Sequence, residues 1–228
     1  MHSTTPAMEN PVGLILIAAM LISILVIHLR YSKKRKIPLK GSDVAQKLGL
    51  KFNPIEQESL IESYSFINRM RYGKKRHAQK VFSGIFHKQP VTIFELRYEI
   101  SGIDKNSPPD YYSFYLLELP RSFPEITLYK EGLISKLYQL AGHGDIDFES
   151  YAFSRKFRVR GKDARFAYDF CNARMIEYLE SNTDLSIEID RNVLCISFNK
   201  QLCFEEVEHN LDRLLEIRAR MPDYLFEG

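Results

Sequence analysis

From Pro11 to Leu29 the chain runs 19 residues without an Asp, Glu, Lys or Arg. An α-helix needs about 20 such residues to cross a hydrocarbon core. A helix is the single-segment solution in lipid, because the bilayer offers the backbone no hydrogen-bond partners. A buried helix of a globular protein would show a polar stripe or a shorter apolar run. A cleaved signal would begin with positive charge and end at a small-residue site. Here the first ten residues carry no Lys or Arg, and the run ends in His28-Leu29-Arg30-Tyr31. The span therefore reads as an uncleaved anchor.

Charge gives its direction. Residues 1–10 hold only Glu9, whereas Arg30, Lys33, Lys34, Arg35 and Lys36 follow the span directly. Lys and Arg stay on the cytoplasmic side, which predicts an outward N-terminus and a cytoplasmic C-terminal domain at an inner membrane. Those five cations are the expected contact with anionic lipid headgroups. Cys171, Cys195 and Cys203, odd in number and without C-x-x-C spacing, agree with reduced thiols in a cytosolic setting. The formal charge of +3 is local: residues 1–40 hold six Lys or Arg and one acid, leaving 26 basic and 28 acidic residues in 41–228. No basic footprint for nucleic acid remains.

The predicted organisation is a short N-terminus (1–10), a transmembrane helix (11–29), a basic linker (30–41) and one cytoplasmic domain (42–228). Ser42-Asp43 resembles a helix N-cap, with Gly49 as the stop. Between Pro54 and Met70 the pattern fits a helix that gives way to a strand. From Lys80 onward, VFSGIF, VTIFELRYEI, YYSFYLLEL and EITLY read as strands rich in β-branched and aromatic residues. His87-Lys-Gln-Pro90 and Gly102–Asp110 are turn signals that make the first three antiparallel neighbours. GLISKLYQLAGHG has room for a short helix. Phe153–Val159 alternates as a strand should. Asp163 caps a helix that Asn172 divides, and LSIEI and VLCISF flank Asp190-Arg-Asn192 as a hairpin. Phe204–Met221 is a terminal amphipathic helix stopped by Pro222. Strands followed by helix, hairpin and helix make an α+β domain with a mainly antiparallel sheet.

Phosphate-loop, nucleophile-elbow, H-E-x-x-H and EF-hand signatures are absent, and the sequence implies no cofactor, metal or catalytic residue. Arg69, Arg71, Lys74, Lys75, Arg76 and Lys80 form a run of cations without an acid. They read either as an anionic-ligand patch or, more simply, as a solvated loop whose charges protect a sheet edge. His143, Asp145, Asp147 and Glu149 alternate, as ligands on one strand face would, yet no second metal-spaced group accompanies them. His143, Asp145 and Asp147 supply the alternative of a membrane-proximal enzyme. Cys195 reads as a buried thiol and His209 as a solvent-facing or rim residue. Tyr111-Tyr112 and Phe114-Tyr115 place aromatics on both faces of a strand, leaving one face for a protein partner or a second copy of the chain.

The segment DIDFESYAFSRKFRVRGKDARFAYDFCNARMIEYL, with Phe153, Phe157, Val159, Asp163, Ala164 or Ala167 and Met175, resembles a pattern in bacterial membrane-anchored proteins classed as domains of unknown function. Phe123-Pro124, the Gly84-containing strand and the anchor resemble it more loosely. The resemblance implies a bacterial inner-membrane protein and carries over no activity or site residue. Together these features describe a single-pass anchored binding, scaffold or sensor domain, with an enzyme or an accessory subunit of an envelope complex as alternatives.

Overall fold

A long ribbon of two antiparallel strands organises the domain. In the computed structural model, which describes Met20 and residues 40–100, 109–130 and 145–227, β4 (Asp110–Lys130) pairs with β6 (Ser186–Phe198) from Ser113↔Phe198 to Leu128↔Ile187. The opposite edge of β4 is shared. Its first half pairs with β3 (Gln89–Glu99), followed by β2 (Lys74–Phe86) and β1 (Lys51–Asn53); its second half pairs with β5 (Phe157–Gly161). Every pairing among these strands is antiparallel. The fold is thus mixed α+β with a mainly antiparallel sheet and a C-terminal helix.

The chain divides into two units, Met1–Leu39 and Lys40–Gly228. Apart from Met20, the N-terminus and the predicted span, together with the five flanking cations, most of the Gly102–Asp110 turn, the helix expected after Lys130 and His143, lie outside the described residues. Among the described residues, no helix is long and apolar enough to cross a membrane.

Helices cover one face of the sheet: α1 (Gly41–Leu48), α3 (Tyr151–Lys156), α4 (Ala164–Phe170), α5 (Ala173–Ser181) and α6 (Val207–Arg220). α1 begins at Gly41 rather than after Ser42-Asp43, with Lys40 at the cap position and Asp43 in the first turn, and Gly49 ends it in the left-handed region (φ 68°). That conformation favours glycine because it has no Cβ to clash. α6 buries Val207, Leu211, Leu214 and Ile217, spaced three and four apart, against the sheet. The opposite face holds a smaller apolar cluster beneath α2 (Glu58–Ser63) and a 3₁₀ turn at Asn68–Arg71, with Ile61, Ile67 and Met70 packed on Phe94, Leu96, Phe114 and Leu116. Of the aromatics expected to face a partner, Tyr112, Phe114 and Tyr115 are buried by these covering elements and are core of the chain itself, while Tyr111 is half-buried.

Several expectations need correction. No strand follows the helix between Pro54 and Met70, where a 3₁₀ turn stands, and EITLY is not a separate strand but the second half of β4. Asp190-Arg-Asn192 is no hairpin: β6 runs through it as one strand, and Arg191 (φ 54°) sits at a register irregularity. Phe153–Val159 is no uninterrupted strand. Residues 151–156 form α3, capped by Ser150, whose hydroxyl accepts from the Phe153 N–H at 3.2 Å, and the strand starts at Phe157. Phe153 and Phe157 are four apart, a spacing that serves a helix as well as a strand, and their rings stack at 5.4 Å. The basic run is no loop either: it passes through the 3₁₀ turn, Gly73 and the start of β2. A two-residue turn at His87 and Lys88, both with positive φ, joins β2 to β3 as the sequence predicts. Asp163 caps α4, and Asn172 divides the helical stretch, both as predicted; Asn172 does so by capping α5.

Candidate functional site

On the face opposite α6, the β4–β6 ribbon curls until its two ends meet around one arginine. Tyr112 lies near the start of β4, and Ser186 begins β6 at the far end of the ribbon. Arg69 spans them: its guanidinium stands over the Tyr112 ring at 5.3 Å, and its Nη2 donates to Ser186 Oγ at 3.0 Å. The 3₁₀ turn that carries Arg69 is inserted into this concavity, and Arg69 is only 6 % exposed. A cavity of about 380 Å³ opens beside it. Its inner wall is Arg69, Tyr112, Ser186 and Ser197; its rim is Lys130, Asp184, Phe198, Asn199 and Lys200. The volume falls in the range of small-ligand pockets, roughly 300–1,000 Å³.

The rim charges are ordered. Asp184 accepts from both terminal nitrogens of Arg213, Nη1 at 3.0 Å and Nη2, in a two-pronged pair. Burial opposes the Asp184 charge, but the Arg213 guanidinium outweighs it and holds the carboxyl below its ordinary pKa. Arg213 Nη1 also donates to Asn210 Oδ1 at 3.3 Å, and Asn210 Nδ2 donates to the Tyr115 hydroxyl at 3.2 Å, so α6 fixes this wall through a chain of polar contacts. Lys200 pairs with Glu206 at 2.5 Å and lies 5.4 Å from the Phe198 ring centre.

Beneath the cavity lies a buried acid. Glu188, two residues along β6 from Ser186, is 4 % exposed. Its Oε1 accepts from the Asn68 N–H at 2.5 Å, while Oε2 is buried without a hydrogen-bond donor among the described residues. Burial pushes its pKa up from 4.5 to about 7, against the pull of the Asn68 N–H and the Arg69 charge. Asn68 Nδ2 donates to Glu125 Oε1 at 2.8 Å, and Lys162 pairs with Glu125 Oε2 at 2.5 Å. Cys195 shares this face, and burial raises its thiol well above the usual range, as expected of a structural cysteine.

The six cations singled out in the sequence are not gathered into one patch. Arg69 reaches the cavity, whereas Lys80 pairs at 3.0 Å with Glu95, a fully buried carboxylate that also binds the Leu202 N–H at 2.8 Å. Lys75 pairs with Glu99, Arg76 Nη1 donates to the Met70 carbonyl at 2.7 Å, and Arg71 turns back to Asn68 and the Phe66 carbonyl. Lys74 is exposed at the start of β2. Lys130 and Lys200 escaped the sequence reading because each stands outside any local cluster, and tertiary curling alone brings them near Arg69. Of the candidate acid group, Asp145 bonds Arg160 Nε at 2.6 Å, and Asp147 and Glu149 face solvent while Ile146 and Phe148 between them pack on the core. No group of three metal-ligating side chains occurs among the described residues. His209 is exposed on α6, facing solvent.

No protein-family model and no curated protein matches this sequence. Among solved structures, the chain is similar to the crystal structure of the mycobacterial trehalose monomycolate transport factor A, TtfA, with a TM-score of 0.57 at 13 % identity, covering 80 % of this chain and 94 % of that one. At that identity the similarity is one of fold.

Proposed function

We propose that this chain is a single-pass, membrane-anchored binding protein. In this reading, the apolar span from Pro11 to Leu29 holds it in an inner membrane, Arg30, Lys33, Lys34, Arg35 and Lys36 rest on anionic headgroups, and the α+β domain works on the cytoplasmic side as a sensor or scaffold. The observation that carries the binding role is the cavity beside Arg69. A guanidinium fixed by a ring and a hydroxyl has already lost its rotamer freedom, so a ligand meets a group that needs no further ordering.

The anchor is tested by carbonate extraction of membranes holding the full chain, and by a reporter fused after Gly228. Retention in the membrane and a cytoplasmic signal are expected; release, or a signal confined to the other side, ends that part of the reading. Binding is tested by thermal-shift measurements on the full chain in mild detergent against sugars, amines, carboxylates and phosphates. Asn199→Trp fills the cavity from its exposed rim and serves as the blocked control. A panel in which no compound stabilises the natural chain more than this variant refutes the binding role.

A second reading is an accessory subunit of a membrane complex; the protein whose fold this chain shares is named a trehalose monomycolate transport factor. Co-purification of a membrane protein with the full chain in mild detergent favours it, and a chain that purifies alone counts against it.

A further inference from the structure

Resting on the binding role proposed above, we infer that the cavity between Arg69, Lys130 and Lys200 is a site for a phosphate ester carried on a small polar body. Among the described residues three cationic side chains surround the space; Lys200 is shared with Glu206, which lies outside it, and the carboxylate on the rim, Asp184, is already engaged by both prongs of Arg213. The cavity therefore presents an excess of positive charge to an incoming group. The donors approach from different elements: Arg69 from the 3₁₀ turn, Lys130 from the end of β4, and Ser197 and Lys200 from the end of β6 and just beyond it. A carboxylate has two oxygens in one plane and suits a single fork, whereas a tetrahedral phosphate offers three oxygens to donors spread in this way. Arg69 is the fixed anchor, since Ser186 and the Tyr112 ring set its plane. The lysines are exposed and adjustable, Lys200 by exchanging its surface pair with Glu206 for the ligand, and act as point charges around it.

Size extends the assignment. A cavity of about 380 Å³ is larger than bare phosphate requires, and Tyr112 lines it beside Ser186 and Ser197. Glycerol or sugar carbons suit the tyrosine ring, and their hydroxyls suit the serines. Such a group is available in two forms, a soluble phosphate ester or a phospholipid headgroup, and both share the chemistry that the cavity recognises.

Calorimetry on the full chain in mild detergent tests this with sn-glycerol 3-phosphate, inorganic phosphate, acetate and glycerol. A second arm uses the chain in nanodiscs containing phosphatidic acid or only phosphatidylcholine. Glycerol 3-phosphate is expected to bind in preference to acetate and glycerol, with affinity falling about tenfold in Lys130→Gln/Lys200→Gln. Lys88→Gln, at the β2–β3 turn, is expected to bind as the natural chain does. Selective, lysine-dependent binding of phosphatidic acid without free glycerol phosphate also supports the site and assigns its ligand to the membrane. Acetate binding as tightly as phosphate overturns the inference, as does affinity unchanged in the double variant. A response in the wider panel confined to uncharged or cationic compounds overturns the phosphate assignment and leaves the binding role standing; a panel with no response removes both.

Discussion

Replacing Glu188 with glutamine tests whether the buried acid beneath the cavity carries the electrostatic cost that its surroundings imply. Its pKa rises from 4.5 in the unfolded chain to about 7 in the fold, chiefly through burial. A carboxyl with a raised folded-state pKa favours folding most at low pH, where both states are protonated. As the pH passes 4.5 the unfolded chain ionises first, and the contribution is lost progressively until the folded carboxyl also ionises near 7. The difference of about 2.5 pKa units corresponds to about 3 kcal/mol. Glutamine resembles the protonated acid: its carbonyl can still accept from the Asn68 N–H, and it carries no charge. Near pH 4.5 the variant should match the natural chain in stability. At pH 8 it should be more stable by up to about 3 kcal/mol, a rise in Tm of roughly 6–12 °C for a domain of this size. The chain has 13 tyrosines and no tryptophan, so near-ultraviolet circular dichroism of the tyrosines follows the unfolding directly. Measured in mild detergent at pH 5, 6, 7 and 8, the two stability curves should diverge as pH rises. Parallel curves, or a glutamine variant weaker at pH 8, would refute the reasoning and mean that Glu188 is ionised at little cost, with Arg69 compensating its burial in full.

Asn172→Ala should lower stability by about 1–2 kcal/mol, the range for loss of a helix cap. Its carbonyl caps α5 at the Met175 N–H (3.1 Å), and its amide donates to the Arg220 carbonyl at 2.9 Å, tying the break between α4 and α5 to the end of α6. Chemical denaturation of the purified chain gives the value, and no change would remove both roles. Thiol labelling of the native chain should modify Cys203 alone, slowly, because Cys171 and Cys195 are buried with thiols pushed up by burial, while Cys203 is half-exposed and its thiol is raised by partial burial and by Glu205. Mass spectrometry after brief alkylation, with full labelling in denaturant as reference, checks this; rapid labelling of Cys195 would contradict the burial of the inner face.

What could be read from the sequence was local. The Asp163 and Asn172 caps reach backbone N–H groups three residues on, at Phe166 and Met175, so a short window of sequence contains the whole interaction. Gly49 and the turn at His87–Lys88 are legible for the same reason. The strands of the central sheet announced themselves by composition, and the apolar face of α6 by its period. The site did not, because its defining contact joins Arg69 to Ser186 across 117 residues. In the sequence Arg69 is one of six neighbouring cations, and nothing local marks it as the one that turns inward. Lys80, in the same run, turns to the buried carboxylate of Glu95 for an equally distant reason.

The register of β6 ties these points together. In a regular strand, side chains alternate, so Ser186 and Glu188 would face opposite to Cys195 and Ser197. Here Ile187 and Ile189 share the helix-covered core with Leu194, Ile196 and Phe198, and the change of parity falls around Arg191, in the left-handed region. The register slips at the same place, with Glu118↔Val193 followed by Phe123↔Arg191 and Ile126↔Ile189, so β4 carries extra residues through its two prolines, Pro120 and Pro124. Irregularities of this kind sharpen the local twist and bend a strand. Both effects serve the cavity. The parity change places Ser186 and Ser197 on one face, and the bend brings the ends of a ribbon thirteen residues long on the β6 side to a single guanidinium. The stretch that reads in sequence as a turn between two strands is thus the hinge of one, and the site exists because the chain continues through it.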